Sequence, residues 1–189
     1  MKKKTSAVLL ILFVLSISVG VMIVPTFFTK GVSRITLHQE FNLPLILDST
    51  KEIEIVFFGY SGCTDVCTPR LRAIANFYNK LSKKNKQRVG FVFLDISSPI
   101  DKTLPSQFAK SFHHDFKGIY LDSKIFRNYT RAFSVYFSKS LIDKTEYDHT
   151  ANLYIVKKEG TKKETRFIYT AYPYDFKQVN LDIKELLNE

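Results

Sequence analysis

The chain has 189 residues, of which 45% are hydrophobic and 24% charged, a balance that is typical of one globular domain and excludes a disordered or low-complexity protein. Its two cysteines exclude a disulfide-dense secreted scaffold and a four-cysteine zinc site. The net charge of +10 does not indicate nucleic-acid binding. Part of the excess of lysine and arginine is N-terminal. The rest lies in two clusters, 80–88 and 157–163, that fit a helix end and a turn.

The N-terminal segment has the pattern of a membrane anchor. The lysines at positions 2–4 precede an uncharged stretch over 7–24, which as a helix at about 1.5 Å per residue nearly matches the hydrocarbon core of a bilayer. A cleaved signal peptide, the alternative, usually has a shorter apolar region that ends in small residues. We therefore expect an uncleaved signal anchor, a transmembrane helix, over 1–28 and a tether over 29–40. Because lysines stay in the cytoplasm, the rest of the chain is expected on the periplasmic side of a bacterial inner membrane.

Short apolar runs alternate with helical patterns after the tether. The runs Ile53–Phe58 and Val89–Ile96 are continuous, as in strands that are buried on both faces. Between them, a loop over 59–67 leads into Thr68 and Pro69, which suit the N-cap and the first residue of a helix. The pattern also predicts helices over 105–112, 123–133 and 174–187 and strands over 118–121, 150–156 and 165–170, the last two forming a hairpin.

This order of elements is that of a thioredoxin-like α/β sandwich with a central mixed sheet, which we expect over 41–189. Ligands of such sheets bind beyond the carboxyl ends of the parallel strands. Cys63 follows one of those ends almost directly, so the loop that contains it is the first candidate for a functional site.

Two cysteines four positions apart, Cys63 and Cys67, form the candidate site. Cys67 lies just before the predicted helix, where free backbone N–H groups and the helix dipole favour a thiolate. Three interpretations are open at this point: an inert structural disulfide, a thiol–disulfide pair that works without metal, and a metal site. A disulfide that closes so small a loop restrains little of the chain, which weakens the first interpretation.

The available ligands narrow the choice of metal. Two thiolates suit Cu(I) or zinc, but structural zinc takes four protein ligands. A blue-copper site normally adds a methionine, and Met1 and Met22 lie outside the predicted soluble domain. Low-coordinate Cu(I), held by two sulfurs and one imidazole, therefore fits best, with Cu(II) as the alternative. The histidines that compete for the third position are His38, His113, His114 and His149.

Three segments resemble the signature segments of the Sco/SenC family. They are FFGYSGCTDVCTPRL (57–71), RAFSVYFSK (131–139) and YDHTANLYIV (147–156). His149 in the third segment opens a predicted strand whose start faces the cysteine loop in a thioredoxin-like fold, although such a histidine is by itself more often a surface residue. The joint match of CxxxC with a downstream DH[ST] is specific, and the similarity extends over 41–187.

The resemblance implies a membrane-tethered copper-binding protein whose ligands are Cys63, Cys67 and His149. In the family, such a domain assists assembly of the dinuclear copper site of cytochrome c oxidase, by delivering copper, by reducing the cysteines of that site, or by both. The implied partner is the copper-site subunit of the oxidase or a related copper or thiol protein. The other hypothesis is a thiol–disulfide oxidoreductase that uses Cys63 and Cys67 as a redox pair without metal, so whether the chain is an enzyme stays open.

The cysteine loop departs from the family pattern CPDxCP. Thr64 and Thr68 replace both prolines, and since proline fixes φ, we expect a less preorganised loop. Gly62 stands where many members have histidine, and residues 98–101 are all that represents the family's DPERD-like acidic loop. Asp148 is expected either to orient the neighbouring imidazole or to be a surface carboxylate.

Overall fold

A computed structural model describes Phe13, Ile17 and residues 34–43, 50–97, 100–142 and 146–188. The chain from Arg34 onward forms one compact unit. No helix among these described residues is both long and apolar enough to cross a membrane. Apart from Phe13 and Ile17, the predicted anchor over 1–28 lies outside the described residues, and so do residues 29–33 of the predicted tether.

Eight strands and five helices are formed by the described residues of this unit. The strands are β1 (Arg34–Phe41), β2 (Ile53–Gly59), β3 (Val89–Asp95), β4 (Lys117–Tyr120), β5 (Phe137–Lys139), β6 (Tyr147–His149), β7 (Leu153–Glu159) and β8 (Lys162–Tyr169). The helices are α1 (Cys67–Lys80), α2 (Lys83–Arg88), α3 (Leu104–Lys110), α4 (Ser123–Ala132) and α5 (Phe176–Leu186).

Six of the strands form one sheet in the order β1-β8-β7-β2-β3-β4, and β5 pairs with β6 in a separate two-stranded sheet. The neighbours β2, β3 and β4 are parallel, whereas β7 pairs antiparallel with β2 and β8, and β8 with β1. This arrangement confirms the predicted α/β fold with a central mixed sheet. All the predicted strands and helices are present. The largest difference in bounds is that of β7, which was predicted over 150–156 and is observed over Leu153–Glu159.

The central strands β2 and β3 are buried along their whole length. All the residues of β2, IEIVFFG, and of β3, VGFVFLD, are buried. The side chains of both strands are buried whichever face of the sheet they lie on, and the sequence therefore shows no polar alternation. Glu54 is the charged residue of β2, and its Oε1 lies 3.8 Å from Lys158 Nζ on β7.

Residues 34–40, predicted as the end of the tether, instead form strand β1 together with Phe41 at the edge of the sheet. Most of its side chains are exposed, so the sequence carries no apolar alternation. The strand is held by its pairing with β8 and by Arg34, whose Nε and Nη2 donate to the Asp182 carboxylate of α5 at 2.6 and 2.8 Å. Contacts between residues so far apart in the sequence leave no local pattern.

The parallel strands β2 and β3 end together, with Gly59 opposite Asp95. The Ile96 N–H still donates to Gly59 O at 2.8 Å, and beyond this point the two chains separate into loops. The cysteine loop follows β2, and the loop that includes 98–101 follows β3; residues 98 and 99 lie outside the described residues. The cysteines therefore lie beyond the carboxyl ends of the parallel strands, where such sheets bind ligands.

Candidate metal centre

Cys67 is the first residue of α1 and is fully buried. Gly59, the last residue of β2, makes room for it, because a Cβ added there would lie 2.7 Å from Cys67 Sγ and 2.9 Å from Phe93 Cε2. The helix begins at Cys67 instead of at the predicted Pro69, and Val66 takes the N-cap position without a side-chain hydrogen bond. The sulfur of Cys67 thus lies at the positive end of the helix dipole.

Cys63 lies in the turn that leads into this helix. Its N–H donates to Tyr60 O at 3.2 Å, and Gly62 within the turn has φ +92°, a left-handed conformation that glycine adopts without steric penalty. The Cys67 N–H donates to Cys63 Sγ at 3.2 Å. A hydrogen bond from a backbone donor favours the thiolate, so the start of α1 stabilises charge on Cys63.

The two threonines that replace the family's prolines make different contacts. Thr68 Oγ1 donates to Cys63 O at 2.8 Å and so fastens the first cysteine to the first turn of α1. Thr64 Oγ1 donates to Oδ1 of the exposed Asp65 at 2.9 Å. The missing prolines were expected to leave the loop less preorganised. At Thr68 this loss is opposed by the hydrogen bond of the hydroxyl, because a proline side chain has no donor.

His149 reaches the cysteines from the two-stranded sheet of β5 and β6. It ends β6 and pairs with Phe137 of β5, whereas the sequence predicted that it opens the following strand, which begins only at Leu153. Its Nε2 lies 3.6 Å from Cys67 Sγ, although the two residues are 82 positions apart. Its Nδ1 lies 3.1 Å from Thr150 O, and because a carbonyl only accepts, Nδ1 carries the proton. The lone pair of Nε2 is therefore directed to the sulfurs, as in a metal-binding imidazole.

The structure thus brings together the three side chains that the sequence selected. Cys63 Sγ, Cys67 Sγ and one ring nitrogen of His149 all lie within 4.8 Å of one another. Bonds from a metal to thiolate and imidazole are about 2.3 and 2.0 Å long, so one ion placed between the three atoms needs only small movements of the ligands. Both cysteines are free thiols.

The pKa values of the two thiols are shifted in opposite directions. The Cys67 thiol, as hydrogen-bond donor, holds the pKa of Cys63 well below its ordinary value, and the backbone N–H groups of Cys67 and Val66 act in the same direction. The pKa of Cys67 is raised by that same hydrogen bond, by burial and by the negative charge of Cys63. The reduced site is therefore poised to lose its first proton easily and to keep the second until a cation replaces it.

The site is more enclosed than a loop at a sheet edge would suggest. Cys63 is 3% exposed and Cys67 is 0% exposed, whereas His149 is partly exposed. Of the three residues, His149 is therefore the most accessible to an incoming ion or partner ligand.

Two residues that the sequence did not select also build the site. Tyr60 lies edge-on to His149, with ring centroids 6.0 Å apart, and its pKa is raised by burial and by hydrogen bonding to Cys63, so it stays a neutral phenol. Asp95 is buried and accepts hydrogen bonds from Ser61 in the cysteine loop. A carboxylate at the end of an apolar strand is a signal that could have identified Asp95, whereas nothing in the sequence distinguishes Tyr60 from other core aromatics.

Asp148 does not orient the imidazole. It is exposed and pairs with Ser138 across the β5–β6 sheet, while the proton on His149 Nδ1 is directed to Thr150 O. This arrangement supports the alternative in which Asp148 is a surface carboxylate. His38 is not part of the site either, since its Nδ1 lies 2.8 Å from Glu164 Oε1.

A second group of nearby donors, His113, His114 and Asp115, does not have the geometry of a metal site. A ligating imidazole holds the ion in the plane of its ring. The two rings are stacked, with centroids 4.5 Å apart and planes inclined by only 22°, so one ion cannot lie close to both and in both planes. His113 also uses both nitrogens, one with Asn79 Oδ1 and one as acceptor for the Asp115 N–H, each at 3.1 Å.

Comparisons with known proteins agree with this fold. The model of the SCO1/SenC family matches residues 48–186. The solution structure of apo Sco1 from Thermus thermophilus is 26% identical, with a TM-score of 0.62 over 84% of this chain and 95% of that one. Copper-bound ScoI from Bradyrhizobium japonicum is 25% identical, with a TM-score of 0.57 over 73% of this chain and 87% of that one.

A curated relative is similar over a shorter stretch. The mitochondrial SCO1 homolog 1 of Arabidopsis thaliana is 24% identical over 108 residues, which is 56% of this chain and 32% of the relative. The aligned stretch is thus about a third of that protein. Because the family match covers both cysteines, the histidine and nearly all of the central sheet, the chain belongs to the SCO1/SenC family.

Proposed function

We propose that this protein binds one copper ion through Cys63, Cys67 and His149 and passes it on during assembly of the dinuclear copper site of cytochrome c oxidase. The observation that carries the proposal is the approach of His149 Nε2 to within 3.6 Å of Cys67 Sγ, with Cys63 Sγ close to both. Two soft sulfurs and one imidazole suit Cu(I). Copper in the ScoI structure from Bradyrhizobium japonicum supports the choice of metal.

Binding of Cu(I) would displace the proton that the raised pKa of Cys67 keeps on its thiol. Cu(I) with two thiolates carries a net negative charge, which the N-terminus of α1 and the Cys67 N–H at Cys63 Sγ help to stabilise. The Thr150 carbonyl keeps the proton on Nδ1 of His149, so the imidazole is ready to ligate through Nε2. No rearrangement of the tautomer is needed on binding.

Transfer would begin at the exposed ligand. Since both sulfurs are buried and His149 is partly exposed, a cysteine of the partner approaches from the imidazole side and displaces His149 first. The sulfurs of Cys67 and Cys63 are then exchanged in turn. The partner in this proposal is the copper-site subunit of the oxidase or a related copper protein with exposed thiols.

The test is a titration of the reduced full-length chain with Cu(I) in competition with a chelator of known affinity. Removal of a residue that only supports a metal ligand lowers the metal affinity by roughly tenfold. We expect His149→Ala, which removes a ligand itself, to lower the Cu(I) affinity by more than this. His38→Ala is the matched control, because His38 is an exposed histidine paired with Glu164, and it should leave the affinity unchanged. Equal affinities for the His149→Ala and wild-type chains would remove His149 from the site.

The second candidate is a thiol–disulfide oxidoreductase, which the short distance between the two sulfurs and the low pKa of Cys63 favour. In that reaction the Cys63 thiolate attacks a partner disulfide and expels one partner thiolate; Cys67 then attacks the mixed disulfide. The Cys63–Cys67 pair is thereby oxidised, and the partner disulfide gains two electrons and two protons, one from the Cys67 thiol and one from water. This activity does not require His149, so a His149→Ala chain that reduces a model disulfide at the wild-type rate but binds no Cu(I) would separate the two functions.

In this proposal the protein is a single-pass protein of a bacterial inner membrane, with residues 1–28 as an uncleaved anchor and the metal centre on the periplasmic side. The support is the lysines before an uncharged stretch that matches the bilayer thickness. After expression, the intact chain should resist alkaline extraction from membranes and be digested by protease added to spheroplasts. Release of the chain in a soluble form that lacks its first residues would show cleavage instead.

A further inference from the structure

Asp95 joins the cysteine loop to the loop on the other side of the sheet end. It is 0% exposed and is the last residue of β3, opposite Gly59. Its Oδ2 accepts from Ser61 N at 2.8 Å and from Ser61 Oγ at 2.5 Å. Its Oδ1 accepts from Ser97 N at 2.7 Å and from Ser97 Oγ at 2.6 Å. One carboxylate therefore receives two hydrogen bonds from each loop.

Hydrogen bonds hold the cysteine turn on both sides of Cys63, and those to Asp95 are on the N-terminal side. Ser61 lies two residues before Cys63, and on the other side of the turn Thr68 Oγ1 donates to Cys63 O at 2.8 Å. Hydrogen bonds to a charged acceptor are about twice as strong as neutral ones. A buried carboxylate at Ser61 is therefore a strong constraint on where the chain can place the first sulfur.

We propose that Asp95 is a positioning residue for the metal centre, acting through Ser61 to hold the cysteine turn in the geometry that binds the ion. The inference rests on the proposed function as far as it concerns Cu(I). It goes further by assigning different roles to the hydrogen bonds of Asp95. Those from Ser61 set the positions of the sulfurs, and those from Ser97 hold only the neighbouring loop.

The two serines provide a matched pair of variants. Ser61→Ala and Ser97→Ala each remove one hydroxyl that donates to the same buried carboxylate, and each leaves the backbone hydrogen bond in place. If Asp95 serves only the stability of the fold, the two substitutions have the same effect on every property. If Asp95 positions the cysteines, only Ser61→Ala changes the metal centre.

The experiment measures Cu(I) affinity by chelator competition, the reduction potential of the Cys63–Cys67 pair, and the thermal midpoint, all on the full-length chain. We expect Ser61→Ala to lower the Cu(I) affinity by about tenfold and to shift the reduction potential, while Ser97→Ala changes neither. Ser61→Thr keeps the hydroxyl and should restore the wild-type affinity. Similar decreases in thermal midpoint for both alanine variants are expected, because each loses one hydrogen bond.

Equal Cu(I) affinities and equal reduction potentials for the two alanine variants would overturn the proposal. A wild-type chain that binds no Cu(I) would overturn the proposed function alone, because the reduction potential needs no copper and still distinguishes Ser61→Ala from Ser97→Ala. Asp95→Asn gives an additional measurement where the protein folds. Its amide nitrogen cannot accept from the serines, so its Cu(I) affinity should be at least as low as that of Ser61→Ala, and an affinity equal to that of the wild type would contradict the inference.

Discussion

Gly59 and Cys67 are in contact at the end of the central sheet, where the missing side chain of the glycine leaves the space that the sulfur occupies. A Cβ on Gly59 would lie 2.7 Å from Cys67 Sγ and 2.9 Å from Phe93 Cε2, closer than non-bonded atoms approach. Phe93 is buried in β3, so its ring has little room to move. The position of the second sulfur is therefore set by the strand as much as by the helix that follows.

Gly59→Ala should displace Cys67 and weaken metal binding. We expect a loss of about 1–3 kcal/mol in the free energy of unfolding, as for other overpacked cores, together with a lower Cu(I) affinity. Gly90→Ala is the matched control, since a Cβ there would lie 2.3 Å from Glu54 Oε2 near the opposite end of β3. Denaturant unfolding and chelator competition on both variants provide the comparison. A Gly59→Ala chain that loses stability but binds Cu(I) like Gly90→Ala would contradict a specific effect on the sulfur.

Thr68→Val should weaken the metal centre more than Thr64→Val does. Thr68 Oγ1 donates to Cys63 O, and without this donor the carbonyl loses a hydrogen bond worth about 1 kcal/mol. The hydroxyl of Thr64 bonds to the exposed Asp65, so its loss should have little effect. Thr68→Ser should behave like the wild type in Cu(I) competition. Equal affinities for the two valine variants would show that the Thr68 hydroxyl does not preorganise the turn.

The parts of the fold that the sequence predicted are those with local patterns. The continuous apolar runs of β2 and β3 need burial on both faces, and that requirement appears directly in the residues. Strand β1 has no such pattern, because its place depends on Arg34 binding Asp182, 148 positions away. The strands β5 and β6 have three residues each, too few for periodicity to be recognised.

The candidate site shows the same division. The loop cysteines were predicted from their spacing and from the helix start, but His149 needed the family resemblance, since a single histidine at a strand edge has no pattern. The role of Thr150 as acceptor for Nδ1 depends on a backbone carbonyl, which every residue has. Such a contact follows from the local backbone geometry, which the residue types alone do not determine.

Acid should destabilise the protein through His113. Its pKa is lowered from the ordinary value of 6.5, first by burial and then by the charge of His114, with Lys86 acting in the same direction and Asp115 opposing. A lowered pKa means that the folded state binds fewer protons than the unfolded state between the two values. The stabilisation from neutral His113 is therefore fully present above pH 6.5 and is lost as the pH falls through the lowered value.

Denaturant unfolding at several pH values between 7.5 and 5 tests this expectation. His113→Gln keeps a polar side chain that can bond to Asn79 but does not titrate, so its free energy of unfolding should depend less on pH than that of the wild type. A His113→Gln chain with the same slope as the wild type would show that other groups cause the acid sensitivity.

Asp182→Asn should destabilise the fold without affecting the metal centre. The buried Asp182 carboxylate accepts from Arg34 Nε at 2.6 Å, from Gln178 Nε2 at 2.8 Å and from the Tyr169 hydroxyl, and so joins β1 and β8 to α5. The asparagine side chain cannot accept hydrogen bonds from all of these donors. Hydrogen bonds to charged groups are worth about 1.5–3 kcal/mol. We expect a loss of about 2 kcal/mol in denaturant unfolding, with unchanged Cu(I) affinity.

The exposed pair Glu52–Arg88 is the matched control for Asp182→Asn. It has the same two-bond geometry, Arg88 Nε to Glu52 Oε1 at 2.6 Å and Arg88 Nη2 to Glu52 Oε2 at 2.7 Å, but the Glu52 side chain is 51% exposed. Because water screens an exposed pair, Glu52→Gln should reduce the free energy of unfolding by less than about 1 kcal/mol. Similar losses for the two variants would mean that burial adds nothing to the contacts of Asp182.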